Sequence, residues 1–163
     1  MSRRPASLRP VSLSVAVLCT ASALVAACGG SAALAAAQAR QDYLNDVAPV
    51  RTAGTVFATD VTTWSLSTTR AETEADAAPL ITAEENFDQA LSSTAWPANA
   101  AAAVQTLITE NKVIIADLND LDTVTYATVA GWEIKLSQDT VVDGADSNLV
   151  RSDLALPQAT LAF

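Results

Sequence analysis

Three carboxylates, Asp139, Asp143 and Asp146, stand four and three residues apart near the end of this 163-residue chain. On a helix that spacing places them on one face, where like charges repel. Oxygen ligands at such a spacing could hold a divalent cation weakly. An exposed acidic stripe needs no cation, and that is the expected reading, so no metal and no cofactor are expected. A second acidic run, Asp117, Asn119, Asp120 and Asp122, lacks the alternating ligands and central glycine of a calcium loop. Leu118 and Leu121 interrupt it at core spacing. The chain contains no histidine, which removes the Ser-His-Asp and Cys-His nucleophile schemes, the HExxH zinc site and the Glu-x-x-His di-iron pair. Paired carboxylates alone can perform acid and base work, but nothing around these marks a catalytic cleft. A non-enzymatic protein with no catalytic residues is expected.

Cys28 is the other residue whose setting implies chemistry. Arg3, Arg4 and Arg9 form a basic stretch, residues 11–27 carry no charge, and Cys28 follows at once. A basic region before an apolar one makes an export signal. The final residues, Leu24, Val25, Ala26, Ala27 and Cys28, resemble the lipobox of bacterial lipoproteins. The resemblance implies that Cys28 is diacylated, becomes the first mature residue, and anchors the chain on the extracytoplasmic face of the cell membrane. The competing readings are an uncleaved single-pass anchor, for which about 17 to 25 apolar residues suffice, and plain secretion. Cys19 lies inside the apolar region and would leave with the signal. The expected organisation is a signal peptide over 1–27, a small-residue tether over 28–37 and one domain over 38–163.

Removal of residues 1–27 takes away three of nine basic residues and no acidic one, so the net charge falls from −9 to −12. Such a surface repels nucleic acid and anionic headgroups, and it favours cations or basic partners. Attraction to the membrane must then come from acyl chains, two of which hold a protein stably where one does not.

The elements are read from periodicity. Tyr43, Val47, Val50, Gly54, Phe57, Val61 and Trp64 alternate steps of four and three, the mark of one helix stripe. Pro49 lies within it and, because it lacks an N–H and crowds the preceding turn, should kink or split the helix; a bend is expected, with the core stripe continuing past it. Residues 65–73 form the expected loop. Asp76 and Pro79 look like a helix start, with Leu80, Ala83, Phe87, Ala90 and Leu91 following at helical spacing. Trp96 and Pro97 mark the next break, with Pro97 suited to a first helical turn. Val104, Leu107, Ile108, Ile114, Ile115 and Leu118 make the most apolar face, with Glu110, Lys112, Asp117 and Asp120 mainly opposite. The last helix spans about 124–154, carrying Trp132 and Leu136 in one stripe and Val142 and Leu149 in another, with an expected stutter near Asp139. Four such segments with short connections bury their stripes as an all-α, up-down-up-down four-helix bundle.

Tyr43 and Leu44 ahead of Ala48 and Pro49, Trp96 with Pro97, Trp132 with Leu136 and Asp139, and Val150, Arg151, Leu154, Ala155, Leu156 and Pro157 together resemble a group of small alanine-rich helical-bundle lipoproteins of actinobacteria. The resemblance spans most of the mature chain and implies fold and location, but no activity. Family members often end in Leu-Gly-Leu-Pro where this chain has Leu154, Ala155, Leu156 and Pro157, a departure that leaves the geometry of the helix-four cap open. Arg151 is expected to pair with Asp42 or Asp46, since helix four should end beside the start of helix one. Trp64, Trp96 and Trp132 are expected as packing residues. The expected function is a membrane-tethered structural or interaction module of the envelope. The alternative is a carrier of lipid or another apolar ligand, which an internal cavity of several hundred Å³ would favour.

Overall fold

The computed structural model describes residues 20–159, with side chains from residue 35 onward. Among the described residues the chain is all helical: α1 (Thr20–Val61), α2 (Arg70–Ser93), α3 (Ala101–Asn119) and α4 (Val129–Asp153), with a 3-10 turn over Asp120–Asp122. They form a four-helix bundle in which α3 packs against α2 and α4, while Tyr43 and Phe57 of α1 meet residues of both α2 and α4. The compact unit begins at Ala35. Residues 29–37, expected as a tether, have helical backbone, consistent with the helix propensity of their many alanines. The rest of the signal segment before Thr20, and the Cys28 side chain, lie outside the described residues.

Several element boundaries differ from expectation for local reasons. α2 starts six residues ahead of Asp76 because Thr69 and Glu72 form a reciprocal capping box: the Thr69 N–H donates to Glu72 Oε2 (2.7 Å), and the Glu72 N–H donates to Thr69 Oγ1. Such a cap outranks a proline as a start signal, and Pro79 sits inside the helix, exposed. Pro97 is not in α3 itself but opens the turn before it, its carbonyl accepting from the N–H groups of Ala100 and Ala101. Pro49 does not split α1, whose stripe continues through buried Gly54 and Phe57. α4 begins at Val129, after a turn in which the Thr125 N–H donates to Thr128 Oγ1 (2.9 Å), and it passes Asp139 without interruption.

The C-terminal end of α4 is closed by two backbone bonds, Leu156 N–H to Arg151 O (2.7 Å) and Ala155 N–H to Ser152 O (2.9 Å). This is the Schellman pattern, which requires a left-handed residue just past the helix. Ala155 fills that place with φ of 52°, so the geometry is that of a glycine cap built with alanine. Arg151 is buried, but among the described residues it pairs with neither Asp42 nor Asp46. Its Nε donates to Pro157 O (2.7 Å), and Asn148 exchanges bonds with Ala159, so the tail folds back along α4. The expected neighbourhood is nevertheless present: Arg40 Nε donates to Leu154 O (2.6 Å). Carbonyls freed at the helix end and in the tail, which must be satisfied when removed from water, took the arginines in place of the carboxylates.

The core has two apolar layers. One is built on Tyr43, Phe87, Leu91, Val104, Leu107 and Val150. Here Trp96 meets the Tyr43 ring edge-on at 6.3 Å and donates from Nε1 to Leu91 O. The other holds Phe57, Leu80, Ile114, Leu118, Leu121 and Trp132. Trp132 packs on Phe57 at 6.2 Å and on Trp64 at 6.0 Å, and its Nε1 donates to Asp117 O. Each fully buried large side chain contributes about 1.5–3 kcal/mol, and the edge-on ring pairs add about 0.5–1.5 kcal/mol each.

Candidate functional site

Between the two apolar layers lies a polar one, and it floors a cleft. The cleft has a volume of about 820 Å³. One wall is α1, through Val47, Val50, Gly54, Phe57 and Val61; the other is α4, through Trp132, Leu136, Thr140 and Gly144. Leu80 and Glu84 of α2 and Ile114 of α3 close the bottom. The exposed residues Thr52, Thr55, Val56, Glu133 and Ser137 belong to its mouth. The volume follows from the sequence: the stripes meeting here carry buried glycines at Gly54 and Gly144, where a larger side chain would fill the gap between helices.

Glu84 and Asp143 are the acidic groups of the inner surface. Glu84 is only 6 % exposed, and Leu80, Glu84, Phe87 and Leu91 form a core stripe at steps of four, three and four. Its Oε2 is sealed from solvent with no hydrogen-bond partner among the described residues, and so is Oδ1 of Asp143. Burial pushes the Glu84 carboxyl up from 4.5 to about 8, with Asp143 and Asp88 adding repulsion. Burial likewise pushes Asp143 up from 3.8 to about 7, helped by Asp146, Asp88 and Glu110. Isolated charges removed from water take up protons in this way. Asn111, 1 % exposed, braces the layer by donating from Nδ2 to Glu84 O (3.2 Å) and Asp88 Oδ1 (2.9 Å). Tyr43 donates to Ser147 O or shares a 2.7 Å bond with Ser147 Oγ, placing a buried phenol on the far side of the same layer.

The three spaced carboxylates do not act as a set. Asp139 is held at 2.9 Å by Lys135, which also binds Asp117. The lysine, through its hydrogen bond, keeps Asp139 below its ordinary range. Asp143 turns to the cleft, and Asp146 makes itself felt only as a repulsive neighbour. Among the described residues no group of three or more acidic or thiol side chains could hold a metal ion. Asp117 is a correction of a different kind. It was expected on the solvent side of α3, yet it is buried at 3 % exposure, because Trp132 and Lys135 of α4 close over it. Sequence reading passed over Glu84 and Asn111, although a polar residue at a core position of each stripe was the available signal.

Among the described residues no helix is long and apolar enough to cross a membrane. No family model, characterised protein or solved structure matches the chain.

Proposed function

We propose that this protein is a lipid-anchored envelope lipoprotein whose bundle holds a small apolar molecule between α1 and α4 and performs no reaction on it. The observation that carries the reading is the cleft: about 820 Å³ falls within the roughly 300–1,000 Å³ of ligand sites, which are also mostly apolar with a few polar groups. The sequence alone favours a tethered interaction module, because its stripes look well filled. The volume left at Gly54 and Gly144 shifts the balance to the carrier. The basic stretch, apolar run and Cys28 support the anchor and the extracytoplasmic location. The anchor would supply membrane attachment and the cleft a compartment for a molecule leaving or entering the bilayer.

The test uses the full chain carrying Cys28→Ser, so that no acyl group of its own can enter the cleft, incubated with an envelope lipid extract and examined by native mass spectrometry. Adducts of one lipid class are expected. They should be lost in Gly144→Leu, or in Thr140→Phe nearer the mouth, with the thermal midpoint retained. A bare protein mass, or adducts indifferent to both substitutions, would return the reading to a protein-binding module.

A further inference from the structure

Two sealed carboxyl oxygens beside a largely apolar cleft are an unusual liability. A buried acceptor without a donor is destabilising, and a polar group at a core position of α2 gives up the packing an apolar residue would provide. Here two such groups, from different helices, line one cavity. Among the described residues no cation pairs with them: Lys135 is engaged by Asp117 and Asp139, and Arg151 is turned to the tail. Arg51 lines the cleft but is exposed, on the solvent side.

Resting on the apolar-ligand reading above, we propose that Glu84 and Asp143 form the head-group end of the cleft and select apolar molecules bearing a primary amine. An ammonium brings three N–H donors and one positive charge. It can therefore pair with both carboxyls once they turn toward the cleft, and offset the repulsion between them, while its hydrocarbon chain lies along Val50, Phe57 and Leu136. A neutral alcohol brings a single donor. A carboxylate would bring negative charge to an acidic pair, and Arg51, which lines the cleft on its solvent side, would draw it to the mouth.

From α1 the pair is faced by the neutral phenol of Tyr43, which Asp143 influences, and by Arg51 at the solvent side; the acidic neighbours come from the other three helices. Asp88 of α2, Glu110 of α3 and Asp146 of α4 all raise the acidic pair toward neutrality. The amide of Asn111, on α3, acts in the opposite direction on Glu84. With carboxyls held near 8 and 7, an ammonium must displace protons to pair with them. Amine affinity should accordingly rise with pH across the neutral range and level off above the higher value.

The full chain carrying Cys28→Ser is titrated with decylamine, 1-decanol and decanoate below their micelle thresholds, followed through tryptophan fluorescence. Decylamine should bind at least about tenfold more tightly than decanol, and decanoate most weakly, the scale expected of charge-assisted hydrogen bonds. Glu84→Gln and Asp143→Asn should each weaken decylamine about tenfold and leave decanol unchanged, which also shows that the cleft is folded. Calorimetry in buffers of different ionisation enthalpy should find release of at least about one proton per decylamine near pH 6, fading by about pH 9. Equal affinity for amine and alcohol, or amine binding indifferent to both substitutions, would overturn the amine selectivity and leave the carrier reading intact. Binding of none of the three would overturn both.

Discussion

Replacing Glu84 with glutamine should make the fold markedly less sensitive to alkaline pH. In the folded chain the Glu84 carboxyl titrates near 8, against 4.5 when exposed. Its native pKa is raised, so the folded state keeps a proton that the unfolded chain has lost. The associated stability is fully present below about pH 4.5 and is lost as pH rises through about 8. Each pKa difference of one unit is worth about 1.4 kcal/mol, so the full swing is on the order of 5 kcal/mol. That is a large share of the roughly 5–15 kcal/mol that holds a domain together. Glutamine keeps the shape and cannot ionise. Urea unfolding followed by tryptophan fluorescence from about pH 4 to about pH 9 should show the wild type falling steadily and Glu84→Gln falling much less, the gap reaching several kcal/mol at the alkaline end. Much of the slope that remains belongs to Asp143, held near 7, and should shrink further in the double variant with Asp143→Asn, leaving the smaller contributions of Asp46, Asp88 and Asp117, all raised by burial. Parallel curves for wild type and Glu84→Gln would refute the argument, since they would mean that Glu84 ionises in the folded protein as freely as in water.

Other consequences follow from single positions. Ala155→Gly should stabilise the fold by about 1 kcal/mol, because the left-handed backbone at φ of 52° strains alanine by about 1–2 kcal/mol and glycine returns part of that as chain entropy; a lower melting temperature would contradict the cap assigned here. Thr69→Ala removes one half of the capping box and should lower stability by about 1 kcal/mol, with a matching loss of amide protection confined to the first turn of α2. Cys28→Ser should abolish metabolic labelling with palmitate and, by blocking acylation-dependent cleavage before residue 28, leave the longer uncleaved chain. Persistent labelling would assign the anchor to another residue.

The sequence alone supplies the number and kind of elements, since their apolar residues repeat at steps of three and four, a signal that depends only on each helix having one buried side. It also shows the basic stretch, uncharged run and cysteine at the N-terminus, which are contiguous features. Tertiary structure decided everything that depends on which stripe meets which. Asp139, Asp143 and Asp146 look equivalent along the chain, yet one meets Lys135, one turns into a cleft and one only repels its neighbour. The end of α4 lies beside α1, as Arg40 bonding to Leu154 O shows, but Arg151 bonds to a tail carbonyl in place of a carboxylate, a partner set by how the chain returns along α4. Glu84 stands at a core position of its stripe, but only the fold shows that it lines a cleft between α1 and α4. Periodicity records which residues are buried together. The space left between them depends on side-chain volumes summed across four helices, and no single stretch of sequence contains that sum.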